Sequence, residues 1–229
     1  MSVIAANLQA VKNDIAAAAQ QADRDPSGVT LLAVSKTVSP DRVREAFEAG
    51  QPAFGENYVQ EGLDKIAALG DLRGRIAWHF IGPLQSNKTR PVAEQFDWVH
   101  AIDRLKIAER LSAQRPADLA PLQVCIQVNI SNEDTKSGVL PEEVPALARA
   151  VAALPNLRLR GLMAIPAPAA DLAAQRVPFA ALRRLLEELR QSGLDVDTLS
   201  MGMSADMPAA IAEGATMVRI GTAIFGARG

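Results

Sequence analysis

The amino-acid sequence predicts a single parallel (β/α)8 barrel with one extra helix at its start. Three observations carry that expectation. Apolar runs of strand character alternate with amphipathic helical segments along the 229 residues, with no linker long enough to divide them. Eight such runs fit in about 200 residues, a common size for this fold. The polar residues of interest follow the strands, at the end where a parallel barrel opens to solvent. An open doubly wound sheet is the competing architecture, but no Gly-rich dinucleotide fingerprint follows the first strand.

Taken in order, Ile4, Leu8, Val11 and Ile15 recur at helical spacing and predict an opening helix over 2–23. The run 31–35 is a strand that ends on Lys36. Ser39-Pro40-Asp41-Arg42 then reads as an N-cap, a proline at the first helical position and an acidic first turn. That helix runs to Ala49 and stops at Gly50. A short strand at Ala53-Phe54 leads into a helix over about 56–69. Strands follow at 76–81 and 98–101, separated by a helix over 86–95, and Asp103 is expected to cap a helix to about 113. The strand 122–130 precedes a helix over 141–153. The strand 157–163 precedes a helix over 177–191, with Leu182, Leu185, Leu186 and Leu189 on one face. The low-complexity stretch 166–175 reads as a surface loop. A weak strand at 196–199, a short helix over 205–212 and a strand at 217–220 complete the alternation, and no internal repeat is evident.

Composition excludes several functions. A formal net charge of -2 and the lack of a basic stripe argue against nucleic acid as the partner. The one cysteine, Cys125, lies inside an apolar run and reads as a small buried hydrophobe, so no disulfide forms within the chain and a reducing compartment suits it. Asn13-Asp14 and Asp23-Arg24-Asp25 interrupt any signal-peptide core, and no apolar run reaches the length of a membrane span. A cytoplasmic, monomeric protein is expected.

The residues after each strand carry the chemistry. A lysine held half desolvated at a barrel mouth can lose its proton and attack a carbonyl, forming a Schiff base, and Lys36 stands at such a place. After the second strand comes Gly55-Glu56-Asn57-Tyr58, where Asn57 either offers its amide to a ligand or helps to start the next helix. His79 lies in an apolar strand and either faces the core or lines the mouth, while His100 has no partner at metal-ligand spacing. Lys136, in the polar loop 132–138, is a second lysine that could face the mouth. Met163 ends the sixth strand and is expected to form an apolar wall for a ring. The last two strands are the specific part. Ser200-Met201-Gly202-Met203-Ser204 bridges a strand and a helix, and Gly221-Thr222 follows the eighth strand. Glycine admits a close backbone approach, hydroxyls donate, and this fold recurrently binds phosphate after strands seven and eight. Arg219, in an otherwise apolar strand, needs an acceptor: a carboxylate such as Asp206 or Glu213, or the pyridine nitrogen of a cofactor. A lysine and a phosphate cradle at one mouth suggest pyridoxal phosphate.

These motifs place the chain close to a known family. Ala33-Val34-Ser35-Lys36, Phe54-Gly55-Glu56-Asn57-Tyr58, the run from His79 to Lys88, Ser200 to Asp206, and Val218-Arg219-Ile220-Gly221-Thr222 resemble the YggS/PROSC family of pyridoxal phosphate homeostasis proteins, relatives of the barrel domain of bacterial alanine racemases. The resemblance covers essentially the whole chain. It implies a (β/α)8 barrel, an internal aldimine on Lys36, and phosphate contacts from the Ser200–Ser204 loop and from Gly221-Thr222. It also implies a protein that binds and buffers the cofactor, supplies it to pyridoxal-phosphate-dependent apoenzymes, and has no established turnover. The alternative is a racemase of the related barrel class. Racemisation needs two bases on opposite faces of the substrate carbon; in the racemases the second is a tyrosine from a separate β-domain of a partner subunit. The chain ends seven residues after Thr222 and its one tyrosine, Tyr58, sits at a helix start, so the carrier is the expected class.

Overall fold

A computed structural model of the chain describes residues 2–131 and 137–226. Eight parallel strands close into a barrel in sequence order: β1 (Thr30–Val34), β2 (Ala53–Glu56), β3 (Ala77–Phe80), β4 (Trp98–Ile102), β5 (Leu122–Gln127), β6 (Leu157–Met163), β7 (Thr198–Ser200) and β8 (Met217–Ile220). Closure runs through β8 and β1, where Leu32 stands opposite Arg219 and Ala33 opposite Ile220. The helices are α1 (Val3–Gln21), α2 (Pro40–Glu48), α3 (Val59–Ala68), α4 (Thr89–Gln95), α5 (Leu105–Gln114), α6 (Val144–Ala152), α7 (Leu172–Gln191), α8 (Met207–Ala212) and α9 (Thr222–Phe225). No described helix is long and apolar enough to cross a membrane.

Period-two alternation divides the strand side chains between two cores. Leu31, Ala33, Phe54, Trp78, Phe80, Val99, Val124 and Ile126 face outward into the large core beneath the helices. Leu32, Ala53, Ile81 and Met217, with Val34 and Ala77, form a small apolar cluster along the barrel axis. The first helix is the predicted extra element. Its stripe of Ile4, Leu8, Val11, Ile15, Ala18 and Ala19 is buried, and it packs on α2, α8 and α9.

Several boundaries move for physical reasons. The second strand extends to Glu56, which pairs with Phe80 of β3, so the residue expected to open a helix closes a strand instead. The fifth strand ends at Gln127 rather than at 130. Asp103 does not cap α5; Arg104 holds the N-cap position, and Asp103 forms an ion pair with it. The seventh helix starts five residues before the predicted Val177. Asp171 caps it by accepting from the Ala174 N–H, and Pro178 lies inside the helix. The eighth helix starts at Met207, two residues later than predicted, behind Asp206.

Candidate functional site

At the carboxyl end of the barrel a cavity of about 380 Å³ opens between β1, α2, β8 and the loops that follow β7 and β8. Lys36, Thr37, Arg42, Ser204, Arg219 and Thr222 supply most of its polar lining. The fold accounts for each. The first strand delivers Lys36, α2 points its first turn at the same end and so presents Arg42, and the β7 and β8 loops bring Ser204 and Gly221-Thr222 from the other side.

Of the residues predicted from sequence, Lys36, Met203, Ser204, Arg219, Gly221 and Thr222 line this cavity together. The lining does not include Asn57, Met163, Ser200, Met201 or Gly202. Met163, expected to wall a ring, is fully buried opposite Ser200 in the sheet, and Met201 packs into the core beneath the helices. Gly202 has φ +94°, and a Cβ there would meet that of Ala210 at 2.5 Å, so it shapes the loop rather than lining the cavity. Asn57 does not cap α3, whose N-cap is Tyr58; its amide oxygen is buried without a hydrogen-bond partner. Lys136 lies outside the described residues.

Ser200 is the main correction. Expected in the phosphate cradle, it is fully buried, with its hydroxyl 2.9 Å from an Arg219 amino group and 2.8 Å from His100 Nδ1. The reason is strand parity: as the last residue of β7, it turns toward the barrel axis rather than toward the loop. His79 Nδ1 continues the series at 2.9 Å from His100 Nε2. A guanidinium only donates, so Ser200 Oγ accepts from Arg219, and its second lone pair and its proton both remain for the contact with His100 Nδ1. Burial pushes His79 down to about 3, and burial, with His79 and Arg219 nearby, holds His100 well below the usual histidine range. Both rings are therefore neutral at neutral pH. His79 thus faces the core, and its stack on Trp98, with ring centroids 5.1 Å apart, fills the axis below.

Arg219 meets neither of the carboxylates considered from sequence. Glu213 pairs with Arg176 and Arg183, while Asp206 accepts the Met203 N–H. Arg219 instead donates to Ser200 Oγ and to the Ala164 carbonyl, each at 2.9 Å, which uses two of the five N–H groups of a guanidinium. Burial lowers it to about 10, so it remains cationic at neutral pH. Cys125 is buried and pushed up to about 12, an inert thiol. Among the described residues no His, Cys, Asp and Glu group could hold a metal ion.

Sequence reasoning missed Thr37, Arg42 and Phe225. Arg42 donates to the Phe225 carbonyl and lies 6.0 Å from that ring's centroid. Its signal was available: the first turn of each helix in such a barrel faces the same end as the strand termini. The pairing of His79 with His100 was available too, since the two share an inward-facing parity on neighbouring strands. Chemically, the cavity joins a primary amine, hydroxyl and glycine donors, and a buried guanidinium. That set suits a small phosphorylated carbonyl compound.

Comparison with known proteins gives the same class. Residues 6–229 match the family model of the alanine racemase N-terminal domain. A pyridoxal phosphate homeostasis protein of Pseudomonas aeruginosa is 64% identical over 228 residues, which is 100% of this chain and 97% of that protein. One of Escherichia coli is 57% identical over 229 residues, 100% of this chain and 98% of that protein. The structure of PipY from Synechococcus elongatus with pyridoxal phosphate bound superposes with a TM-score of 0.84 at 38% identity, covering 97% of this chain and 100% of that one. The chain belongs to the family of pyridoxal phosphate homeostasis proteins, built on the alanine racemase N-terminal domain.

Proposed function

We propose that this chain binds pyridoxal 5'-phosphate at the carboxyl mouth of its barrel and carries it on Lys36, serving vitamin B6 homeostasis without catalytic turnover. The observation that carries the reading is the meeting in one cavity of Lys36 with Ser204, Gly221, Thr222 and Arg219. The bound cofactor supplies an aldehyde that condenses with a primary amine, losing water, and a phosphate dianion. Ser204, Gly221 and Thr222 hold the dianion, with Arg42 adding positive charge beside them. Arg219, fixed by Ser200 and Ala164 and lining the cavity, would offer a remaining donor to the pyridine nitrogen. A cation there disfavours protonation of the ring and keeps it a poor electron sink. Asn57, whose buried amide oxygen lacks a partner, serves the second-strand side of the mouth. Apoenzymes that use the cofactor are the proposed recipients, in the cytoplasm, from a monomeric carrier.

The supply of bases supports the carrier reading. Among the described residues Lys36 is the one amine in the cavity lining, and Tyr58, the sole tyrosine, is 59% exposed and outside it. Inversion at a substrate carbon needs a base on each face. Borohydride reduction of the loaded protein followed by peptide mass mapping is expected to place a pyridoxyl group on the Lys36 peptide, and Lys36→Ala to abolish the visible absorption band. Label on Lys88 or Lys136 instead would sink the assignment. Incubation with L-alanine in heavy water is expected to give negligible inversion. Turnover of about 1–1000 per second would favour the racemase.

A further inference from the structure

The turn that carries Lys36 is held by charged groups outside the cavity. Ser35 precedes Lys36; its hydroxyl donates to Glu56 Oε1 at 2.5 Å, and its carbonyl accepts from Lys65 Nζ at 2.5 Å. Thr37 follows Lys36, and its N–H donates to Glu61 Oε1. The two carboxylates meet on one ammonium: Lys65 Nζ lies 2.9 and 3.1 Å from the oxygens of Glu56 and also donates to Glu61. The Glu56 side chain is 0% exposed and that of Lys65 4%.

Such a pair adds little stability over an apolar pair of the same volume, because desolvation offsets the attraction. Burial raises the Glu56 carboxyl, and Lys65 and Ser35 pull it back. What the cluster secures is backbone. Lys65 holds the carbonyl of the residue before Lys36 and Glu56 its side chain, while Glu61 holds the N–H of the residue after it. Thr37 needs that support, since it is β-branched yet has φ +64°, a sparsely populated left-handed conformation. The same turn sends both Lys36 and Thr37 into the cavity lining.

We propose that Glu56, Glu61 and Lys65 are positioning residues that aim Lys36 by holding the left-handed turn at Thr37. The proposal rests on Lys36 being the residue that takes the cofactor. Without the cluster the turn relaxes toward ordinary backbone, and Lys36 leaves β1 in another direction. Ser204, Gly221 and Thr222, on the β7 and β8 loops, keep their places. The defect is therefore selective for the aldehyde and spares the phosphate.

Glu61→Ala, Glu61→Gln and Lys65→Met test this with two ligands, pyridoxal 5'-phosphate and pyridoxine 5'-phosphate, whose alcohol in place of the aldehyde reports on the cradle alone. Glu61→Ala and Lys65→Met are expected to lose about tenfold or more in affinity for the aldehyde, the scale of one charge-assisted hydrogen bond, while the alcohol binds within a few-fold of the parent. In the ligand-free protein the Thr37 amide should exchange with heavy water faster in both variants. Glu61→Gln, which keeps an acceptor for that amide, should restore aldehyde affinity. Parallel weakening of both ligands, no change in either, or unchanged exchange at Thr37 would overturn the proposal. If Lys65→Met does not fold, the two Glu61 variants decide alone, because Glu61 is half-buried and outside the core. Lys36→Ala separates the premises. Should it keep the preference for aldehyde over alcohol, the site reading fails and this proposal with it. Should it lose that preference while Glu61→Ala keeps it, only the positioning role falls.

Discussion

Ser200 and Ser204 lie four positions apart and do different work. Ser204 lines the cavity, whereas Ser200 holds Arg219 and His100 inside the barrel. Ser204→Ala or Thr222→Val removes a bond to a dianion worth about 1.5–3 kcal/mol, so affinity for the phosphorylated ligand falls about ten- to a hundredfold. Binding of unphosphorylated pyridoxal is expected to stay the same. Ser200→Ala has the opposite signature. It strands a buried guanidinium N–H and the Nδ1 of His100, at a cost of about 1–3 kcal/mol of stability. The preference for the phosphorylated ligand should survive it. Titrating both ligands into the three variants, with a denaturant midpoint for each, checks the division. A Ser200→Ala protein that melts normally but no longer prefers phosphate would put Ser200 back in the cradle. The motif was legible in sequence, but the parity of its first serine was not. That depends on which face the last residue of a three-residue strand presents, a choice set by the neighbouring strands.

At the level of elements, hydrophobic period placed all eight strands and located the helices between them, because each buries one continuous face. Where local signals conflicted with packing, packing prevailed. The helix expected from Val177 is instead capped by Asp171, six residues earlier, and runs through Pro178. Glu56 reads as the acidic first turn of a helix, yet Lys65 receives its carboxylate in the interior and lets β2 continue to it. The first helix had the clearest pattern and the least ambiguous outcome. Leu8 is 1% exposed within its stripe, against elements that follow it by some 200 residues in sequence. Leu8→Ala is therefore expected to cost about 2–5 kcal/mol by removing packed methyl groups from a site with little room to collapse. The measurement is a denaturation midpoint with unchanged slope. A loss below about 0.5 kcal/mol would mean that α1 is a loosely docked appendage.

Across the whole molecule, a polar column occupies the barrel axis where branched apolar layers are the rule. From Arg219 at the cavity it passes through Ser200, His100 and His79 to Trp98, over which the Arg160 guanidinium lies 4.9 Å from the ring centroid. The column couples folding to pH through a single residue type, since His79 and His100 are the chain's two histidines. Unfolded, each titrates near 6.5. Folded, His79 sits at about 3 and His100 well below its ordinary value. Below pH 6.5 the unfolded chain takes up protons that the native barrel refuses, so stability is present above that pH and falls as pH drops toward the folded values. The full slope is about 1.4 kcal/mol per pH unit for each ring, or about 2.7 for the pair. Glu56 acts in the opposite sense. Its folded pKa is raised, so the native state gains relative stability as pH falls through that value toward the ordinary carboxylate range. A comparison of slopes isolates the histidines. His79→Gln offers His100 an amide that can donate or accept and cannot take up a proton, and it should flatten the stability–pH curve between about pH 5 and 6 by close to one proton's worth. Unfolding free energies from urea titrations at several pH values in that window measure it. An unchanged slope would mean that His79 takes up its proton inside the fold. A doubly protonated His79 could only donate to His100 Nε2, which would then have to accept.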